Sequence, residues 1–117
     1  MRKGILDFMA DRYDDYVYKG QVRHLLNGEF WQRQLMENPP NCYQNGGYWA
    51  TPSGWVMWSL AQTEPDLARR LWSDLIADFK AGGICEWIHG DHRQLPKYVA
   101  SATNPLGAAR RLQAAGM

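Results

Sequence analysis

The chain is poor in the features that most quickly assign a function. It holds only two cysteines, Cys42 and Cys85, far apart and in no C-x-x-C arrangement. Two free thiols in a reducing compartment are therefore expected, in preference to a disulfide. Charge of one sign is also lacking: 13 Lys and Arg against 12 Asp and Glu leave a formal net charge of +1. No basic field is available to attract nucleic acid or an acidic membrane, so neither is expected as a partner. No apolar run approaches the roughly 20 residues that span a bilayer. The first residues, Met1 to Asp7, turn acidic too early for a secretion signal, which points to the cytoplasm. There is no phosphate-binding glycine loop, and no nucleophile elbow supports acyl transfer. Nothing calls for a cofactor.

What is abundant is aromatic. Six Trp and six Tyr are a heavy load for 117 residues. Such side chains supply buried area, and they also stack on the faces of sugars, so their number alone favours neither role. The length is that of one domain, residues 1–117, large enough to bury a core and too small for two.

Periodicity gives most of the organisation. Ile5, Leu6, Phe8, Met9 and Tyr13 fit a short helix from Gly4 to about Asp14. Tyr16 to Leu25, rich in β-formers around Gly20, reads as a small hairpin or an irregular extended stretch. Asn38 to Gly47, with two prolines and two glycines, is a loop. Thr51-Pro52 reads as a helix cap with proline at the first helical position. The helix that follows, to about Gln62, is apolar almost all round, which predicts cover on several sides and burial of Trp55 and Trp58. Thr63-Glu64-Pro65-Asp66 is a second cap. The helix behind it carries Leu67, Leu71, Trp72, Leu75, Ile76 and Phe79 on one stripe, with Arg69, Arg70, Asp74, Asp78 and Lys80 outside, and Gly82-Gly83 ends it. Ile84 to Ser101 reads as largely irregular, and a last helix is expected from about Asn104-Pro105. The fold class expected is mainly α, with two helical hairpins and a small N-terminal β-hairpin or irregular segment.

The segment Tyr43-Gln44-Asn45-Gly46-Gly47-Tyr48-Trp49, opening a buried helix, resembles the start of inner helices in six-hairpin glycoside hydrolases, the α/α toroids. Trehalases, processing glucosidases and neutral invertases are of this kind. The order that follows is also similar: an outer helix, then Gly82-Gly83-Ile84-Cys85-Glu86-Trp87, then a helix after Asn104-Pro105. The resemblance runs from Tyr43 to about Gly107 and implies part of a toroid, equivalent to the C-terminal portion of such an enzyme. It departs from the relatives at Ala50-Thr51-Pro52-Ser53, and the hairpins expected to carry a partner carboxylate have no counterpart here.

An inverting glycosidase needs one carboxyl as acid and another as base, ~6.5–9.5 Å apart. The resemblance puts the base at Glu86, whose neighbours Cys85, Trp87 and Ile88 form an apolar collar that suits such work. It also makes Gln44, Asn45, Tyr48, Trp49 and Trp87 candidate sugar contacts. Core packing and loop satisfaction are the competing explanations for these five. No second carboxylate has equal claims: Asp14, Asp15 and Asp91 qualify by charge only, and Glu29 is an alternative sugar contact. Glu86, His89, Asp91 and His92 lie close in sequence but lack the spacing of a metal site, and a polar loop describes them better. The expected function is a truncated glycoside hydrolase relative, inactive alone and carbohydrate-binding. The alternative is a stand-alone interaction or ligand-binding protein. The all-round apolar helix predicts a homo-oligomer, most simply a two-fold dimer.

Overall fold

The computed structural model describes residues 2–32 and 37–117. Helix α1 (Arg2–Asp11) and the single turn α2 (Tyr13–Tyr16) lead into strands β1 (Val17–Tyr18) and β2 (Gln21–Arg23). After the loop come β3 (Tyr48–Trp49), α3 (Ser53–Leu60) and α4 (Pro65–Gly82). Strands β4 (Cys85–His89) and β5 (His92–Pro96) precede the final helix α5 (Val99–Ala114).

The five strands form one antiparallel sheet in the order β1-β2-β3-β4-β5. This overturns the expectation of a mainly α chain built as part of an α/α toroid: the fold is a mixed α+β globule. The reason lies in residues 84–98, read above as irregular. Cys85-Glu86-Trp87-Ile88-His89 is a strand-forming run, and Gly90 at φ +56° turns it back on β5. Sequence-distant pairs then close the sheet, Val22 with Trp49 and Tyr48 with Ile88. Two-residue strands leave no period to read.

The β1–β2 turn is made by Lys19 and Gly20, both left-handed at φ +53° and +71°. A Cβ on Gly20 would lie 2.5 Å from the Leu71 carbonyl oxygen and from the Leu75 nitrogen, so only glycine lets the turn rest on the α4 backbone.

Helix α3 packs against both α4 and α5. Gly54 permits the α5 crossing, since a Cβ there would meet Asn104 at 2.3 Å. The main core joins Tyr13, Tyr16, Val17 and Val22 to Met57, Leu60, Leu71 and Leu112. Leu60, Leu71 and Leu75 are fully buried, each worth ~1.5–3 kcal/mol. Three expectations are corrected here. Trp55 and Trp58 are 65% and 42% exposed, because α3 buries Ser53, Gly54, Met57 and Leu60 and leaves its other side open. Thr51 does not cap α3: the helix makes no side-chain cap hydrogen bond, and the Thr51 hydroxyl is buried without a partner. Helix α5 begins at Val99 and carries Pro105 inside it, where the ring is buried.

Candidate functional site

Of the expected site residues, Tyr48 and Trp49 lie on β3 and Glu86 and Trp87 on β4, at the centre of the sheet. Successive strand residues point to opposite faces. Tyr48 pairs with Ile88, so Trp49 falls beside Trp87 on one face, while Tyr48 and Glu86 share the other. The four residues are neighbours in the sheet, divided into two pairs by its pleat. They do not gather on a single face.

The two indoles are packed by the loop before β3. Trp49 donates Nε1–H to the Tyr43 carbonyl at 3.2 Å. Its ring meets Tyr43 and His24 edge-on at 4.9 and 5.8 Å. Burial holds the His24 imidazole below its ordinary pKa. Trp87 lies 5.2 Å from the His92 ring. A Cβ on Gly47 would come within 2.8 Å of Trp87 Cε3, so the loop backbone rests on that ring. Trp49 and Trp87 are each 7% exposed and offer no open face for a sugar. Tyr48 is also buried, between Tyr18 and Ile88, and burial is the first cause raising its hydroxyl pKa, with Arg23 opposing.

Asn45 is buried and spent on the loop. Its Oδ1 accepts from the Trp31 backbone N–H at 2.9 Å, and its Nδ2 donates to the Asn38 carbonyl at 2.9 Å. Gln44 has an exposed side chain and lends its carbonyl to Trp31 Nε1 at 2.8 Å. Glu29 is exposed and gives its carbonyl to Arg23, while Asp14 and Asp15 pair with Arg70 and Arg12. Asp91 is exposed in the β4–β5 turn.

Glu86 differs from these. It is half-buried, and its carboxylate has neither a hydrogen bond nor an ion pair among the described residues. The buried charges elsewhere are committed. The Arg23 guanidinium donates to the carbonyls of Gly46, Leu26 and Glu29 and lies over Phe30. Asp78 accepts from Gln21 Nε2 at 2.8 Å and from both terminal nitrogens of Arg93, with Lys19 at 3.9 Å.

Neither hub was legible in the sequence. Helical period puts Asp78 outside α4, but Lys19 and Gln21 of the β1–β2 hairpin and Arg93 of the β4–β5 hairpin meet it there. A lone Arg in a β-rich run likewise carries no local sign of three carbonyl acceptors converging on it.

No group of three or more His, Cys, Asp or Glu among the described residues is placed to hold a metal ion. What the centre of the sheet offers chemically is one uncommitted carboxylate. A carboxylate can accept a proton or a hydroxyl, but one alone cannot supply an acid and a base on opposite faces of a sugar ring. No protein-family model, curated protein or solved structure matches the chain.

Proposed function

We propose that the chain is a carbohydrate-binding, truncated relative of glycoside hydrolases, in which Glu86 is the general-base half of an inverting site. The single observation that supports this reading is the uncommitted Glu86 carboxylate, half-buried on the Tyr48 and Ile88 face of the sheet. Asp78, by contrast, is buried and already committed to Gln21 and Arg93, whereas the partly exposed Glu86 carboxylate is left to meet a ligand. The relationship to the family rests on the residues from Tyr43 to Gly107 quoted above, and it no longer extends to a toroidal architecture. Cys42 and Cys85 are free thiols, and no described helix is long and apolar enough to cross a membrane. The free thiols fit the cytoplasmic location we propose.

With one carboxylate, the purified chain is expected to hydrolyse α-glucosides, sucrose and trehalose no faster than a buffer blank. Turnover that Glu86→Gln abolishes would refute inactivity and make the chain an enzyme. Saccharide binding that is unchanged by Glu86→Gln would remove Glu86 from the site.

A second reading, a small interaction protein, is favoured by a different observation. An apolar groove of about 410 Å³ lies between α4 and α5, floored by Met57, Ala68, Trp72 and Leu112 and flanked by Arg69 and Arg110. We infer that a second copy of the chain covers it in a two-fold dimer, with no nucleic acid or membrane involved.

A further inference from the structure

The groove between α3 and α5 is of a different character. It encloses about 520 Å³, within the usual range for small-ligand sites (~300–1,000 Å³). Trp55 and Trp58 stand along it three residues apart, on one side of α3. Ser59, Thr103, Asn104 and Arg111 supply the polar lining.

Trp55 is the most exposed aromatic ring on the chain, yet it is held. With the Asn104 amide turned so that its nitrogen donates to the Thr51 carbonyl at 3.0 Å, its oxygen accepts from Trp55 Nε1 at 3.3 Å. The indole is thus fixed at one edge and bare over its face, a pre-organised platform. Core packing does not explain such a ring, and a second helix would find hydroxyls, an amide and a cation where it needed apolar contact.

Arg111 brings the only charge in the lining, and its guanidinium has no ion pair or hydrogen bond among the described residues. A planar fork of donors beside stacking platforms matches a carboxylate carried on a molecule with an apolar face. Pyranose rings have such faces, and their hydroxyls suit Ser59 and Thr103, whose hydroxyls make no hydrogen bond of their own among the described residues.

We propose that the α3–α5 groove is a binding site for a carboxylate-bearing saccharide, which stacks on Trp55 and Trp58 and places its acid on Arg111. The site shares no residue with the Glu86 region and does not depend on the reading given for it.

Isothermal titration calorimetry of the full chain tests this, with oligogalacturonate and a neutral malto-oligosaccharide of equal length as probes. Saturable binding of the uronate is expected, with the neutral sugar weaker. Trp55→Ala and Trp58→Ala should each weaken uronate binding roughly tenfold or more. Arg111→Gln should bring the uronate down to the affinity of the neutral sugar. The tryptophans and Arg111 are exposed, so these variants should keep the wild-type circular dichroism. Absence of saturable binding overturns the proposal. So does equal affinity for both probes, or uronate binding that survives Trp55→Ala. Loss of binding in Glu86→Gln alone would move the saccharide to the sheet, overturning the groove and supporting the other reading. Self-association abolished by Trp55→Ala, without sugar binding, would make the groove an interface between copies.

Discussion

Two charged side chains behave in opposite ways because of where the chain puts them. Asp14 meets Arg70 at 2.8 Å, but both are more than half exposed, and pairs of that kind are worth ~0–1 kcal/mol. Asp78 has a side chain only 1% exposed and anchors Gln21 from one hairpin and Arg93 from the other. Removing one partner of a buried pair costs ~3–5 kcal/mol, because the other is left uncompensated. Urea denaturation of Asp78→Ala should therefore show a loss of about 3 kcal/mol, and Asp14→Ala a loss within about 0.5 kcal/mol. Equal losses would mean that Asp78 is not the junction between the hairpins and α4. Helical period places Asp78 on the outward face of its helix, while Asp14 stands out in the sequence by charge only. Helical period gives the angle of a residue around its axis and is silent on what later docks there.

At the level of elements, legibility followed the range of the interactions. Helix α4 keeps the bounds that Pro65 and Gly82-Gly83 imply, since both are local signals, although the cap read at Thr63-Glu64 makes no side-chain hydrogen bond. Gly20 leaves residues 16–25 as a small hairpin or an irregular stretch, and the hairpin is what forms. The sheet was not legible, because β1 and β3 hold two residues each and are strands only by virtue of partners far along the chain. Pro105 shows the opposite limit: it reads as the start of a helix, yet it sits within α5, where burial of its ring offsets the lost hydrogen bond. The Gly20 turn provides a test of docking against conformation alone. Both Gly20 and Gly28 have positive φ, but a Cβ at Gly28 meets nothing within 4 Å. Gly28→Ala should cost ~1 kcal/mol, the left-handed penalty by itself. Gly20→Ala adds collision with the α4 backbone and should cost about 3 kcal/mol in all. If thermal unfolding finds the two variants equal, the hairpin tip does not press on α4 in solution.

For the whole molecule the open question is what covers the remaining apolar surface. Helix α1 turns Ile5 and Phe8 outward at 54% and 52% exposure, three residues apart, with Asp7 and Asp11 beside them. The α4–α5 groove presents the reverse: Trp72, Leu106 and Met117 between Arg69 and Arg110. An apolar ridge with acids can meet an apolar trough edged by Arg110, Arg69 being already paired with Asp66 at 2.6 Å. In a two-fold dimer each chain can offer its ridge to the trough of the other, so both ends are satisfied and the assembly closes. Each large side chain covered this way gains up to ~1.5–3 kcal/mol of burial. Light scattering after gel filtration at micromolar concentration should therefore give twice the chain mass of 13.5 kDa. Phe8→Asp, at an exposed position, should return the protein to monomer with its circular dichroism intact. Raised salt should weaken the wild-type dimer, because the flanking charges are exposed and screened within ~10 Å at 0.1 M. A monomer at every concentration would refute the dimer. A dimer indifferent to Phe8→Asp would refute this ridge as its contact and move the interface to another face.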